Sequence, residues 1–319
     1  MRPLTLFRTL IFSLLLIIAT GLLGCATVGD QKNVLGEGDY ERWLDMEKQI
    51  DSEPLAEEAA NRGPAVTAEE FEELGDRYVR QGKTGMALLE YEKALRLKPH
   101  ESILRYKMGI IYLKRDMINE ALKAFEEVLS DNPKNALAHE GKGRVFLARG
   151  ELDAAKESFQ TAINLNPQSW QPYVFLGLVY DHKKQYISAI NEYQKAIAIN
   201  PASSTLLNNL GMSYYLKGDY QQAVDTLTEA SQMVQVDPKT YNNLGLALGK
   251  AGKYEEALEA FKKGGDEAAA YNNLGCLYMG DGKYEEAIQS FEKAVENKAG
   301  FYPKAHENLI KARAALFSK

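Results

Sequence analysis

The chain has 319 residues, 45% of them apolar and 26% charged, with a formal net charge of -6. That balance excludes a nucleic-acid surface, because no basic stripe stands ready to neutralise phosphates. Two cysteines far apart exclude a disulfide framework, and the length alone would suit one large or two modest globular domains.

Residues 1–24 begin with Arg2 and Arg8, continue through an apolar run from Leu10 to Ile18, and finish on Leu22, Leu23 and Gly24 before Cys25. The run falls short of the about 20 residues that a membrane-spanning helix needs. A short apolar run ahead of a small-residue site is a secretory signal, and an uncleaved signal anchor is the alternative. The Leu22, Leu23, Gly24, Cys25 ending resembles the lipobox of bacterial lipoproteins. The resemblance implies cleavage before Cys25 and a diacylglycerol on its sulfur. With Ala26 and not Asp next, it also implies sorting to the outer membrane in enteric-type envelopes. Two or three acyl chains, at about 0.8 kcal/mol per buried methylene, hold a protein stably on a bilayer where a single chain does not.

Residues 25–66 are then the lipidated cysteine and an acidic, flexible tether, in which Gly29, Gly36, Gly38, Pro54, Gly63 and Pro64 interrupt any long element. Inside it, Asp39 is placed to cap a short helix carrying Tyr40, Trp43, Leu44, Met46 and Ile50. This patch either folds back on the following array as a cap or docks a partner.

From Thr67 onward the chain repeats itself. Thr67 and Glu70 have the spacing of a capping box. A glycine recurs at Gly75, Gly109, Gly143, Gly177, Gly211 and Gly245, each 34 residues after the last, and again at Gly275. An alanine keeps step at Ala87, Ala121, Ala155, Ala189, Ala223, Ala257 and Ala287. Four residues further on stand Tyr91, Phe125, Phe159, Tyr193, Leu227, Phe261 and Phe291. Offsets of three, four and seven inside each unit are helical, so each unit reads as two helices whose small residues permit close approach beside bulky ones. Pro99, Pro133, Pro167 and Pro201 close the first four units.

This length and signature resemble the tetratricopeptide repeat family. The resemblance covers residues 67–319 and implies an all-α fold: a right-handed superhelical solenoid of about seven helix pairs with a C-terminal capping helix. Each pair buries its apolar stripe only against its neighbours. Two irregularities stand out. Pro238 comes three residues later than the register expects, which predicts a second helix extended by about a turn in the fifth unit. Between Gly245 and Gly275 the interval falls to 30, with Gly264 and Gly265 at the junction. About one helical turn is missing there, which predicts a tilt of the last unit. Residues 303–317 close the array with Leu309, Ala312, Arg313 and Leu316 on helical offsets, and Pro303 suits a first-turn position.

No catalytic constellation emerges. Gly82, Lys83 and Thr84 lack the glycine five residues earlier that a phosphate-binding loop requires, and Gly82 has turn counterparts at Gly150, Gly218, Gly252 and Gly282. His100, His139, His182 and His306 never fall at the spacing of a helical metal site. The expectation is no enzyme activity, no cofactor, no small-molecule substrate and no metal. Cys276, among Leu274, Leu277 and Tyr278, reads as an inert packing residue.

What remains is the concave groove that the resemblance implies, lined by the first helix of each pair. Its sixth positions are Asn209, Asn243 and Asn273, with Asn308 equivalent in the cap, an amide ladder of a kind that holds a ligand backbone in some members. Beside them stand Tyr106, Phe175, Leu178, Met212, Tyr215 and Leu246, with Ile110 and Cys276 at further ninth positions. An apolar wall with spaced amides suits an extended peptide or an amphipathic helix. Glu72, Glu73 and Asp76 make the first unit acidic, whereas Lys107 and Arg144 follow. The lysine and asparagine set of carboxylate-clamping members is absent. The layout resembles pilotin and pilus-assembly lipoproteins, so the expected role is a membrane-anchored, periplasm-facing scaffold binding proteins or peptides in envelope pilus or secretion assembly. The alternative is an adaptor that presents substrates to a periplasmic protease or cell-wall enzyme.

Overall fold

A computed structural model describes residues 67–298 and 300–317. The leader, Cys25, the tether and the Tyr40 to Ile50 segment lie outside the described residues. Those described form fifteen helices and no strand, in two compact units that meet in sequence between Pro201 and Ala202.

The first unit contains four helix pairs: α1 (Ala68–Arg80) with α2 (Thr84–Leu97), α3 (Ser102–Lys114) with α4 (Ile118–Asp131), α5 (Ala136–Ala148) with α6 (Leu152–Leu165), and α7 (Gln171–His182) with α8 (Tyr186–Ile199). The second contains α9 (Ser204–Lys217) with α10 (Tyr220–Ser231), α11 (Pro238–Lys250) with α12 (Tyr254–Gly264), α13 (Glu267–Gly280) with α14 (Tyr284–Glu296), and a final α15 (Pro303–Phe317). Within each unit every helix packs on its partner, and successive pairs pack on one another.

The repeating glycine sets the distance between partner helices. A Cβ at Gly75 would lie 2.4 Å from the Tyr91 ring, and one at Gly143 or Gly275 would lie 2.6 Å from the ring of Phe159 or Phe291. In the fifth pair the same approach, 2.6 Å, is to Leu227. The seven register alanines are all 0% exposed. Small residues thus let the backbones close until the ring of the second helix lies flat against the first.

The tight connection inside each pair turns through a left-handed residue. Gly150 takes it at φ +74°, but Asp116 and Lys184 adopt the same conformation at +58° and +56°. The turn is therefore kept in the second and fourth pairs at some steric cost.

The capping box forms: Glu70 N–H donates to Thr67 Oγ1 at 3.3 Å, and Thr67 N–H to Glu70 Oε2 at 3.0 Å. The face of α1 that follows is polar. Its Glu70 and Arg77 occupy register positions that hold the buried Leu104 and Ile111 in α3 and the buried Ala138 and Val145 in α5. A polar outer face is what the end of a stacked array requires.

One expectation is corrected. The second helix of the fifth pair is not lengthened; α10 has 12 residues, against 14 in α2, α4, α6 and α8. Pro238 does not stop it but opens α11, where its missing N–H would have had no helical partner. Asp237 caps that start by accepting from Lys239 N–H at 2.8 Å. The missing turn before the seventh pair does fall on a second helix, since α12 has 11 residues and ends at Gly264. The closing helix runs from Pro303 to Phe317 and buries Ala305, Asn308, Leu309 and Ala312.

Candidate functional site

The candidate residues divide between the two units, and each set is described within its own. In the second unit, α9 carries Asn209, Met212 and Tyr215 at intervals of three, all half-buried on one face. Burial pushes the Tyr215 phenol up to about 12, helped by the neighbouring Tyr220 and Asp281. Its ring is tilted against Tyr220 with centroids 5.7 Å apart.

The amides behave differently from one another. Asn243 donates to Asn208 Oδ1 at 2.9 Å, and Asn308 donates to Asn272 Oδ1 at the same distance, with Cys276 Sγ 3.7 Å away. Each bridge joins a first helix to the next: α9 to α11, and α13 to α15. Asn242 instead reaches back to the Gly264 carbonyl at 3.3 Å. Among the described residues, Asn209 and Asn273 have no side-chain partner; Asn209 is half-buried and Asn273 is buried. The sequence reading did not single out Asn208, Asn242 and Asn272. Their signal is plain in retrospect, since each immediately precedes a ladder residue as an Asn-Asn doublet.

Leu246 and Cys276 are buried, and Leu246 belongs to the apolar core around Phe261 and Leu277. A cleft of about 220 Å³ lies between α12, α13 and α14, lined by Tyr254, Leu258, Tyr271, Tyr278, Glu286 and Lys293 among others. Its tyrosine faces are already covered by cations of the same chain: Lys283 lies 4.2 Å from the Tyr254 centroid and Lys293 lies 5.4 Å from that of Tyr271.

In the first unit, Leu178 and Ile110 are buried, at 5% and 2%, whereas Tyr106 is half-exposed and tilted against Phe125 at 5.8 Å. The ninth-position side chains here fill space between helices more than they present a surface. Phe175 is held from two sides, stacked on Phe159 at 5.4 Å and covered by the Arg144 guanidinium 5.0 Å from its centroid. The acidic start of the array is partly neutralised. Lys107 on α3 donates to Glu72 at 2.8 Å and to both Asp76 oxygens at 2.7 Å, and Asp76 also accepts from the Tyr91 hydroxyl. Those carboxylates hold the Lys107 ammonium above its ordinary range against the opposing effect of burial.

One side chain not singled out in the sequence completes this face. Glu140, at the fifth position of α5, is 5% exposed, and burial pushes its carboxyl up to about 7 with Arg144 opposing. Among the described residues, no group of three or more His, Cys, Asp or Glu is arranged to hold a metal ion, and no helix is long and apolar enough to cross a membrane.

Paired helices with a glycine-to-ring contact, a left-handed turn and a closing helix define a class: an all-helical interaction scaffold built of tandem repeats. The chain belongs to the tetratricopeptide repeat family. The family model described as the Cilia and flagella-associated protein 70 C-terminal domain matches residues 41–270, and the tetratricopeptide repeat model matches residues 268–299. The first match begins upstream of Thr67, within the segment that the sequence reading assigns to the tether. No curated protein matches the chain.

Among solved structures it is similar to the APC/C hetero-tetramer Cut9-Hcn1, with a TM-score of 0.59 and 23% identity over 86% of this chain and 52% of that one. It thus spans about half the length of that relative. It is also similar to a tetratricopeptide repeat protein from Parabacteroides merdae, with a TM-score of 0.54 and 22% identity over 77% of this chain and 98% of that one. A third likeness is to PilF of Pseudomonas aeruginosa, with a TM-score of 0.53 and 19% identity over 67% of this chain and 96% of that one. At these identities the likeness is one of fold.

Proposed function

We propose that the chain is a lipid-anchored scaffold of the bacterial cell envelope that holds a segment of a partner protein along its first helices, in the service of pilus or secretion assembly. One observation carries the binding part: Asn209, Met212 and Tyr215 form a half-buried strip on one face of α9, and the Asn209 amide has no side-chain partner among the described residues. An amide that both donates and accepts, beside a flexible thioether and an aromatic ring, matches an extended backbone with apolar side chains. The assembly part rests on layout. A leader ending in Leu22, Leu23, Gly24 and Cys25 stands ahead of a repeat array in one chain, as in pilotin and assembly lipoproteins.

The test is co-purification from cross-linked membranes, comparing wild type with an Asn209→Ala, Met212→Ala double variant. Asn243→Ala serves as the control, because its amide is spent on Asn208. The double variant is expected to lose at least one captured protein while its helical content stays at the wild-type level. A secretin, pilin or export component among the losses supports assembly, and a protease or wall hydrolase supports the adaptor reading instead. An unchanged set of captured proteins overturns the assignment of α9.

A further inference from the structure

The first unit holds a nearly enclosed acidic side chain, Glu140. Glu140 is 5% exposed, yet its carboxylate makes no hydrogen bond among the described residues. The fully buried side-chain polar atom without a hydrogen-bond partner among the described residues is Arg105 Nη1, so the Glu140 oxygens, unpaired within the chain, reach the surface through a narrow opening. Arg144 stands one turn along the same helix and acts on Glu140 through its charge, but its guanidinium lies over the Phe175 ring. Lys107 on the neighbouring α3 is engaged by Glu72 and Asp76.

The acids named on α1 and α5 are Glu72, Glu73, Asp76 and Glu140, against the cations Lys107 and Arg144 on α3 and α5. The surplus is negative. One turn before Glu140 and Tyr106 stand Leu137 and Ile103, 43% and 38% exposed, so apolar surface lies open beside the unpaired acid.

We propose that Glu140 anchors a basic side chain of a peptide segment laid across α3 and α5, while an apolar side chain of the same segment rests on Ile103 and Leu137. The inference rests on the binding of a partner segment along the first helices and specifies what such a segment carries. A lysine or arginine brought to Glu140 supplies a charge-assisted hydrogen bond where the protein supplies none. The apolar contact removes Ile103 and Leu137 from water. A segment with acidic residues at the same place meets the negative surplus and is rejected.

The experiment uses detergent-solubilised full chain and an array of acetylated, amidated dodecapeptides, each carrying one leucine and one lysine three or four residues apart. Every peptide has a twin in which the lysine is acetyl-lysine, which keeps the length and removes the charge. At pH 8, where Glu140 is ionised, wild type is expected to bind the lysine peptides about tenfold more tightly than their twins, the size of one charge-assisted hydrogen bond. Glu140→Gln, nearly isosteric, is expected to abolish that preference while keeping residual binding through the apolar contact; Leu137→Asp is expected to remove binding altogether. Circular dichroism on each variant verifies the fold. A preference that survives Glu140→Gln, or a wild type that binds peptides without distinguishing the twins, overturns the role of Glu140 and leaves the scaffold reading standing. A wild type that binds no dodecapeptide also overturns the role of Glu140, whereas the scaffold reading itself falls only if cross-linked membranes yield no captured protein.

Discussion

Glu140 makes the protein's stability depend on pH in a direction opposite to that of most carboxylates. Its carboxyl is pushed from 4.5 to about 7 by burial, with only Arg144 pulling the other way. The folded chain therefore holds a proton that the unfolded chain releases. That contribution to stability is fully present below pH 4.5 and is lost as pH rises through about 7. A shift of this size corresponds to about 3 kcal/mol at most, once both forms are ionised. Glu140→Gln, which cannot ionise, is expected to be more stable than wild type at pH 8, by about 1–3 kcal/mol, and equal to it near pH 4.5. Denaturant melts at the two pH values measure it, and a difference that does not change with pH would mean that folding leaves the Glu140 carboxyl unshifted. Nothing in the sequence pattern marks this residue. Glu72 occupies the same register position in the first pair and is held by Lys107, so the identical letter is answered in one repeat and unanswered in another.

At the scale of helix pairs, most of what the sequence shows survives into the structure because the signal is periodic. A glycine that returns every 34 residues opposite a bulky side chain can be read without coordinates, and each such glycine meets that side chain, a ring in every pair but the fifth, where it is Leu227. The asparagine bridges were not legible in the same way, because Asn243 bonds the fifth-position Asn208 and not its own counterpart Asn209. A register aligns like positions, whereas neighbouring helices are offset by a residue where their side chains cross. Pro238 was misread for a related reason: proline is excluded equally from a helix interior and welcomed at its first turn, so spacing alone does not say which side of a boundary it marks.

The glycine contact also yields a prediction with a defined sign. Gly143→Ala gains about 1 kcal/mol in helix propensity, but its methyl would sit 2.6 Å from the Phe159 ring, which is 0% exposed and stacked on Phe175. Overpacking of this kind costs about 1–3 kcal/mol, so a net loss of about 1 kcal/mol is expected. Gly85, in α2, has nothing within 4 Å of the corresponding position. Gly85→Ala is accordingly expected to stabilise by up to about 1 kcal/mol. Thermal melts of the two variants check the pair; equal effects at both sites would show that propensity and not packing governs the register glycines.

At the scale of the whole molecule, the described helices and the attachment to a membrane are separate matters. No described helix is long and apolar enough to cross a bilayer; under the proposed lipid-anchored reading the hold comes from residues 1–25, where the sequence offers the apolar run itself or an acyl group on Cys25. The two differ in what one sulfur does. If acyl chains provide the hold, at about 0.8 kcal/mol per buried methylene, removing the sulfur removes both the cleavage signal and the lipid. Cys25→Ser is then expected to shift the protein from the carbonate-washed membrane pellet into the soluble fraction or to leave it as an unprocessed precursor of higher mass. Fractionation followed by intact-mass measurement separates these outcomes from the competing one. A variant that stays in the pellet at the same mass as wild type would assign the hold to an uncleaved apolar anchor, because only in that case does the cysteine take no part in either processing or attachment.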